Sequence, residues 1–132
     1  MVNRSAATIY IVDDDEMVRD SLKAVLEAHQ FSVVEFASAP SFLDGAGSAP
    51  AARLLPACLL VDIHMPGMTG LELLRALRER GRSLPTILIT GRNEESARAE
   101  ARALRAVALL DKPVAHPALF AAIEQALGTA PS

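Results

Sequence analysis

Acidic residues close two apolar segments of this chain. Residues 13–15 are three successive aspartates that follow the apolar run 9–12, and Asp62 follows the apolar run 58–61. The carboxyl ends of parallel strands meet at one edge of an open sheet, where such sheets hold ligands and chemistry. Carboxylates gathered at that edge repel one another unless a hard cation lies among them. The sequence therefore predicts an acidic metal site built around Asp62.

Two other polar residues follow apolar segments in the same way. Thr90 ends the run 86–89, and Lys112 ends the run at about 107–111, just before Pro113. The bond between Lys112 and Pro113 is of the type that can adopt the cis form. A carboxylate beside a divalent cation, a hydroxyl and an ammonium group suits phosphoryl transfer to that carboxylate. The carboxylate attacks phosphorus in line, while the cation and the donors take up the charge on the equatorial oxygens.

Apolar and turn-forming residues alternate along the chain with the periods of strands and helices. The pattern predicts an α/β fold, with a parallel sheet covered on both faces by right-handed crossovers. The strands are expected at about 8–13, 31–36, 58–62, 86–89 and 107–111, and the helices at about 15–29, 38–43, 70–80, 94–104 and 117–127. Asp15 is expected to cap the first helix, Gly81 to end the third, and Gly128 to follow the last. We interpret residues 1–132 as one domain, with a core at about 7–127.

The composition limits the classes of function that this chain can have. The 132 residues are 51% hydrophobic and 4% aromatic, which is enough for one aliphatic core. A net charge of −3 predicts no direct nucleic-acid binding. The sequence contains neither an apolar run of membrane-spanning length nor a signal-peptide core, so we expect a soluble cytoplasmic protein with no membrane partner. The single cysteine, Cys58, is expected to be a buried thiol.

Four short motifs occur in a characteristic order. They are Val12-Asp13-Asp14, the block Asp62-Ile63-His64-Met65-Pro66-Gly67-Met68-Thr69-Gly70, the pair Thr90-Gly91, and Asp111-Lys112-Pro113. Together, over about residues 7–127, the chain resembles the receiver domain of two-component response regulators. The resemblance implies a flavodoxin-like (βα)5 fold, a doubly wound parallel sheet with strand order 2-1-3-4-5.

The resemblance also implies what the acidic residues do. Asp62 would accept a phosphoryl group from a sensor histidine kinase or a phosphotransfer protein. Mg²⁺ would be held directly by Asp14, Asp62 and the backbone carbonyl of His64, and through water by Asp13. Such a chain catalyses its own phosphorylation and dephosphorylation, but it is not an enzyme acting on an external substrate.

The switch residues depart from the usual receiver pattern. By the resemblance, Thr90 and Lys112 would each contact a phosphoryl oxygen. Receivers usually carry Tyr or Phe three positions before the lysine, as a ring that turns inward when the threonine moves, and this chain has Leu109 there. The segment before the fifth strand usually contains glycine, and here it reads Leu104-Arg105-Ala106. These departures leave the phosphorylation chemistry intact and put the output switch, assigned to Thr90 and Leu109, in question.

Two alternative functions remain open at this point. A phosphohydrolase of the haloacid dehalogenase type also uses a nucleophilic Asp with Mg²⁺, and Asp13-x-Asp15 formally matches its motif, although the block around Asp62 would then be unexplained. A receiver-shaped interaction module that no longer switches is the second. The motifs are closest to receivers that precede a helix-turn-helix domain, which favours transcription control as the output. The kinase, the pathway and the output partner are not identified by the sequence, and a weak homodimer is compatible with it.

Three further features have an ordinary structural interpretation. The side chain of His64 is expected to face solvent, because no second histidine stands at metal-ligand spacing. Arg98, Arg102 and Arg105 fall on one face of the predicted fourth helix, and a solvated face paired with nearby glutamates is favoured over a docking stripe. His116 is assigned to the loop before the last helix.

Overall fold

Five parallel strands form one sheet in a computed structural model that describes residues 7–45, 56–92 and 94–128. The strands are β1 (Thr8–Val12), β2 (Ser32–Phe36), β3 (Ala57–Asp62), β4 (Thr86–Thr90) and β5 (Ala108–Asp111). Their order is β2-β1-β3-β4-β5, so the predicted flavodoxin-like arrangement is confirmed. The chain reverses its winding direction between β1 and β3, and this reversal opens a crevice at their carboxyl ends.

Five helices alternate with the strands. They are α1 (Glu16–Ala28), α2 (Ala39–Asp44), α3 (Gly70–Glu79), α4 (Glu95–Ala103) and α5 (His116–Gly128). Each predicted element is present, with ends within one residue of those expected. His116 was wrongly assigned to a loop, because α5 begins one residue earlier than predicted and includes it. Of the residues interpreted as one domain, 1–6, 46–55, 93 and 129–132 lie outside the described ranges.

The central strands are buried on both faces of the sheet. Along β3, Cys58 and Leu60 pack into one layer, and Leu59 and Val61 pack into the other. The predicted buried thiol of Cys58 is confirmed, and burial raises its pKa to about 12. Near-continuous apolar runs are what a parallel sheet covered by helices requires. A rigid central strand therefore leads directly into Asp62.

Side chains accept hydrogen bonds from free N–H groups at the starts of α1 and α3. The carboxylate of Asp15 accepts hydrogen bonds from the backbone N–H groups of Met17 at 2.9 Å and Val18 at 3.3 Å, so its predicted role as the cap of α1 is confirmed. Thr69 and Glu72 form a reciprocal capping box at the start of α3. Both caps stand directly after strand-end loops that carry predicted site residues.

Three helices end in the same backbone motif. After α1, α3 and α4, a residue in the left-handed conformation follows the cap: Gln30 at φ 71°, Gly81 at φ 72° and Arg105 at φ 62°. In each case the next N–H bonds back to the carbonyl five residues earlier, at 2.9–3.1 Å, as in a Schellman motif. Gly81 was predicted, whereas Arg105 was wrongly assigned to the face of α4 and lies beyond its end. Gly128 was expected after α5 and is its last residue.

No helix among the described residues is long and apolar enough to cross a membrane.

Candidate functional site

Three carboxylates meet at the carboxyl edge of the sheet. Val12 and Val61 are register partners on β1 and β3, which places the strand-end residues Asp13 and Asp62 side by side. Carboxylate oxygens of Asp13, Asp14 and Asp62 all lie within 4.8 Å of one another. Asp13 and Asp62 are buried and Asp14 is exposed. The predicted gathering of these acids is therefore present in the structure.

The two carboxylate oxygens of Asp13 have different surroundings. Its Oδ1 accepts the backbone N–H of Asp15 at 2.9 Å. Its buried Oδ2 has no hydrogen-bond partner among the described residues and lies 3.5 Å from the Nζ of Lys112, an ion-pair separation. A buried carboxylate oxygen without a hydrogen bond is costly unless another charge compensates it. This oxygen and its two neighbouring carboxylates fit the oxygen ligands that a hard divalent cation prefers.

The ionisation of Asp62 is disfavoured by its surroundings. Burial raises the pKa of this carboxyl above its ordinary value, and the negative charge of Asp13 raises it further. The cation of Lys112 and a hydrogen bond from the backbone of His64 act in the opposite direction without cancelling the rise. Burial and, after it, the charge of Asp13 thus both oppose ionisation of the Asp62 carboxyl in the folded chain.

Lys112 bridges the two buried acids. Its Nζ lies 3.4 Å from Asp62 Oδ2 and 3.5 Å from Asp13 Oδ2. Partial burial acts to lower the pKa of Lys112, but the charges of Asp13 and Asp62 outweigh it and the pKa is raised. The peptide bond from Lys112 to Pro113 is cis, as the sequence suggested. Lys112 is therefore charged at neutral pH and close enough to contact a group bound on Asp62.

The hydroxyl of Thr90 is held by its own loop. Thr90 is buried at the end of β4, where its Oγ1 donates to the carbonyl of Arg92 at 2.7 Å and accepts the N–H of the same residue at 3.0 Å. The structure thus places Thr90 at the predicted edge of the sheet without aiming its hydrogen bond at the acids. Contact with a ligand on Asp62 requires the hydroxyl to leave the Arg92 carbonyl.

The remaining predicted residues lie around this edge. The side chain of His64 is exposed, as expected. Leu109 is half-buried in β5, beside Leu88 of β4. It lines a surface cavity of about 220 Å³ whose rim includes Arg98 and Arg102 of α4. A leucine at this position therefore leaves open space between β5 and α4.

A glycine sets the position of the Asp62 backbone. A Cβ atom added at Gly70 would lie 2.5 Å from the carbonyl oxygen of Asp62, well inside van der Waals contact. The N–H of Gly70 also donates to the carbonyl of Ile63 at 3.0 Å. The loop after β3 turns at Gly67, where φ is +76°. The glycines of the 62–70 block thus allow α3 to begin directly against the strand end.

Arg19 is a supporting residue that the sequence interpretation missed. Its Nη1 donates to the backbone carbonyl of Asp13 at 2.6 Å, and its Nε donates to Glu35 of β2 at 3.0 Å. Lys23 reaches the other oxygen of Glu35 at 3.5 Å. The arginine thereby ties the end of β1 to the neighbouring strand. The signal available in the sequence was Glu35 itself, an acid in an apolar strand that requires a partner.

An apolar groove opens beside the site. Its volume is about 500 Å³, and it lies between the first turns of α1 and the loop that follows β5. Met17, which is 79% exposed, lies at the groove together with Val18, Pro113 and Val114. Lys112 lines the same groove, so the groove is continuous with the charged cluster.

This arrangement defines a protein whose acidic edge can take up a divalent cation and an anionic group. The chain matches the family model described as the response regulator receiver domain over residues 9–124, and it belongs to this family. The match covers both strand-end acids, Thr90 and Lys112.

Known relatives share the family and the fold. The chain is 38% identical to the transcriptional regulatory protein FixJ of Azorhizobium caulinodans over 91% of its length, and 36% identical to the response regulator protein TodT of Pseudomonas putida over 96%. It spans about half of these relatives, 54% and 53% respectively. The solved structure of FixJ-N superposes with a TM-score of 0.83 at 35% identity, covering 96% of this chain and 97% of that one.

The raised pKa of Asp62 generates a prediction for stability. The pKa of Asp62 is higher in the folded protein than in the unfolded chain. At pH values between these two pKa values, the folded wild type therefore binds more protons than the unfolded chain does. Stability therefore falls as pH rises through that window. In metal-free buffer at neutral pH, we expect Asp62→Asn to raise the melting temperature by roughly 2–5 °C, the shift produced by about 1 kcal/mol in a domain of this size. The gain should shrink as the pH falls below the folded-state pKa.

Asp14→Asn is the matched control, because it removes an exposed carboxylate of the same cluster, and its effect should be smaller. Thermal unfolding followed by circular dichroism across the acidic range measures both. A destabilised Asp62→Asn protein at neutral pH would contradict the electrostatic interpretation.

Proposed function

We propose that this chain is a phosphorylation-controlled signalling switch that accepts a phosphoryl group on Asp62 from a sensor histidine kinase or phosphotransfer protein. The observation that carries the proposal is the buried carboxylate of Asp62, grouped with those of Asp13 and Asp14 and 3.4 Å from Lys112 Nζ. Membership of the receiver family supports it. In this proposal residues 7–127 form one receiver domain and act on no external substrate.

The chemistry uses groups already in place. An oxygen of Asp62 attacks phosphorus, the phosphorus–nitrogen bond of the phosphohistidine donor breaks, and the electron pair returns to the imidazole, which takes up a proton. The product is an acyl phosphate on Asp62. Lys112 stands close enough to pair with a phosphoryl oxygen, because its Nζ already contacts the Asp62 carboxylate. Thr90 supplies a second donor once its hydroxyl leaves the Arg92 carbonyl.

Mg²⁺ is the proposed cofactor. Its direct ligands would be Asp14, Asp62 and the backbone carbonyl of His64, with Asp13 acting through water. The fit is supported by the buried Asp13 Oδ2 without a hydrogen bond and by the close grouping of three carboxylates. Bound Mg²⁺ would offset negative charge on the phosphoryl oxygens.

The phosphodonor protein is proposed to dock in the groove between α1 and the loop after β5. A donor histidine must reach Asp62, and this groove shares Lys112 with the site. The exposed Met17 and the neighbouring Val18 and Val114 offer apolar contact area at its wall. Methionine suits a surface that must adapt to a partner.

The arrangement of Asp13 and Asp15, the candidate motif of a haloacid dehalogenase, disfavours this alternative. Asp13 Oδ1 is bonded to the backbone N–H of Asp15. The carboxylate of Asp15 caps α1 and is exposed, so it does not face the acids that would share a metal. Asp13 thus stands at the end of β1, and Asp15 serves as the cap of α1.

The acceptor can be identified by labelling. We expect Asp62→Asn to abolish incorporation of label from radioactive acetyl phosphate, whereas Asp111→Asn should label as the wild type does. Asp111 is the matched control, since it also ends a strand of the sheet but is exposed and outside the acidic cluster. Label that persists on Asp62→Asn and disappears from Asp13→Asn would establish the dehalogenase-like chemistry instead.

The switch is proposed to begin at Thr90. Movement of its hydroxyl toward the phosphoryl group breaks two contacts within the 90–92 loop, which leads into α4. Among the described residues no side chain caps the first turn of the helix, and its buried residues are the small Ala97 and Ala101. Few large contacts therefore oppose its displacement. The exposed Arg98 and Arg102 would be the surface presented to an output partner, with transcription control as the proposed output.

Amide NMR tests the switch. Addition of beryllofluoride, a phosphoryl mimic, should shift resonances at the site and then across residues 90–106. Leu109→Tyr should fill part of the 220 Å³ cavity and alter those shifts, because the ring would occupy space that α4 borders. The matched control is Leu110→Phe, an apolar enlargement on the opposite layer of β5. Wild-type shifts confined to the Asp62 pocket would identify a receiver that no longer switches.

A further inference from the structure

Arg19 of α1 bonds the end of β1 and the neighbouring strand β2 through one guanidinium group. Its Nη1 donates to the backbone carbonyl of Asp13 at 2.6 Å, and its Nε donates to Glu35 Oε1 at 3.0 Å. The Arg19 side chain is only 13% exposed, so solvent does little to weaken either contact. The donors of a guanidinium project in one fixed plane, so the bond to Glu35 sets the direction of Nη1. The ion pair with β2 therefore aims Nη1 at the Asp13 carbonyl.

Both polar groups of the Asp13 backbone are held. Its N–H donates to the carbonyl of Phe36 at 3.2 Å, and its carbonyl accepts the bond from Arg19. The side-chain Oδ1 of Asp13 in turn accepts the N–H of Asp15 at 2.9 Å. Of these three bonds, only the one from Arg19 can be removed without replacing an acidic residue or altering the backbone. Arg19 is therefore the place at which the geometry of this strand end can be tested separately from its charge.

The peptide unit that Arg19 holds leads directly to Asp14. A peptide unit is planar, so fixing the carbonyl of Asp13 also fixes the backbone nitrogen and Cα of Asp14. Asp14 is exposed, and no hydrogen bond holds its carboxylate among the described residues. A carboxylate oxygen of Asp14 nevertheless lies within 4.8 Å of those of Asp13 and Asp62. The position of its backbone is therefore what keeps Asp14 at the acidic cluster.

The positive charge of Arg19 does not explain a role at this edge. Among the described residues, the charged groups that shift the pKa of Asp62 are Asp13 and Lys112. A further cation near a metal site repels the metal ion, so by charge alone Arg19 would weaken the binding of Mg²⁺. Geometry and charge therefore predict opposite effects on metal affinity when a neutral residue replaces Arg19.

We propose that Arg19 is a positioning residue for the Mg²⁺ site, acting on Asp14 through the Asp13 carbonyl and held in place by Glu35. The inference rests on the proposed function, in which Asp14 is a direct ligand of Mg²⁺. This ion demands near-ideal octahedral geometry, so a ligand whose backbone is not held costs affinity. Groups that orient metal ligands typically contribute roughly 10- to 100-fold to metal affinity.

Replacement of Arg19 tests geometry against charge. We expect Arg19→Gln to bind Mg²⁺ roughly tenfold more weakly than the wild type, at the lower end of the loss for an orienting group. Arg19→Lys keeps the charge but loses the planar fork, and its loss should be smaller. The matched control is Lys23→Gln, because Lys23 pairs with the other oxygen of Glu35 at 3.5 Å and, among the described residues, is not bonded to Asp13. It should bind Mg²⁺ as the wild type does. Titration with magnesium chloride, followed by amide NMR, measures the affinities.

Backbone dynamics test the same inference without a metal ion. In metal-free Arg19→Gln protein, the order parameter of the Asp14 amide should fall from the rigid-backbone value of about 0.85 toward 0.6. In Lys23→Gln protein it should keep the rigid value. NMR relaxation measures this order parameter at a temperature at which every variant is folded, so a loss of overall stability does not affect the comparison.

Results of two kinds would overturn the inference. Arg19→Gln protein that binds Mg²⁺ more tightly than the wild type would show that the guanidinium acts through its charge. Unchanged Mg²⁺ affinity in both Arg19 variants, or a rigid Asp14 amide in both, would show that Arg19 only fastens α1 to the sheet. Wild-type protein that binds no Mg²⁺ would instead contradict the proposed cofactor, and the order parameter would still decide whether Arg19 positions Asp14.

Discussion

Repulsion between carboxylates at the carboxyl edge of the sheet is the constraint on which the site depends. Parallel pairing of β1 with β3 places Asp13 and Asp62 side by side, and both are buried. Lys112 offsets part of this repulsion, with its Nζ 3.4–3.5 Å from the two acids. Burial raises the pKa of Asp62, and the remaining repulsion from Asp13 raises it further. The proposed binding of a cation and of a phosphoryl group rests on this incompletely compensated cluster.

The surrounding structure fixes this cluster from several sides. Arg19 ties the carbonyl of Asp13 to Glu35 of β2. Gly70 lets α3 begin against the carbonyl of Asp62, where a side chain would not fit. Within the described part of the chain, by contrast, the hydroxyl of Thr90 forms hydrogen bonds only with the backbone of Arg92. The acids are thus rigidly placed, whereas the proposed switch residue has a local hydrogen bond that can be exchanged.

The sequence was sufficient for the fold and for the position of the site, because both follow from local patterns. Apolar runs ending in Asp13, Asp62 and Lys112 indicate strand ends, and parallel strands bring their ends together. Long-range contacts were not predictable in this way. The bond from Arg19 to the Asp13 carbonyl depends on how α1 lies against β1 and β2. Arg105 was misplaced because a helix can end in a left-handed residue other than glycine when the surrounding bonds hold it.

The pKa of the Asp62 carboxyl can be measured by carbon-detected NMR titration with and without Mg²⁺. We expect a pKa above 3.8 in metal-free protein, because burial and the charge of Asp13 oppose ionisation. We expect Mg²⁺ to lower this pKa, because a bound cation stabilises the carboxylate. A metal-free pKa at or below 3.8 that Mg²⁺ leaves unchanged would contradict the claim that the acidic cluster is strained and completed by a cation.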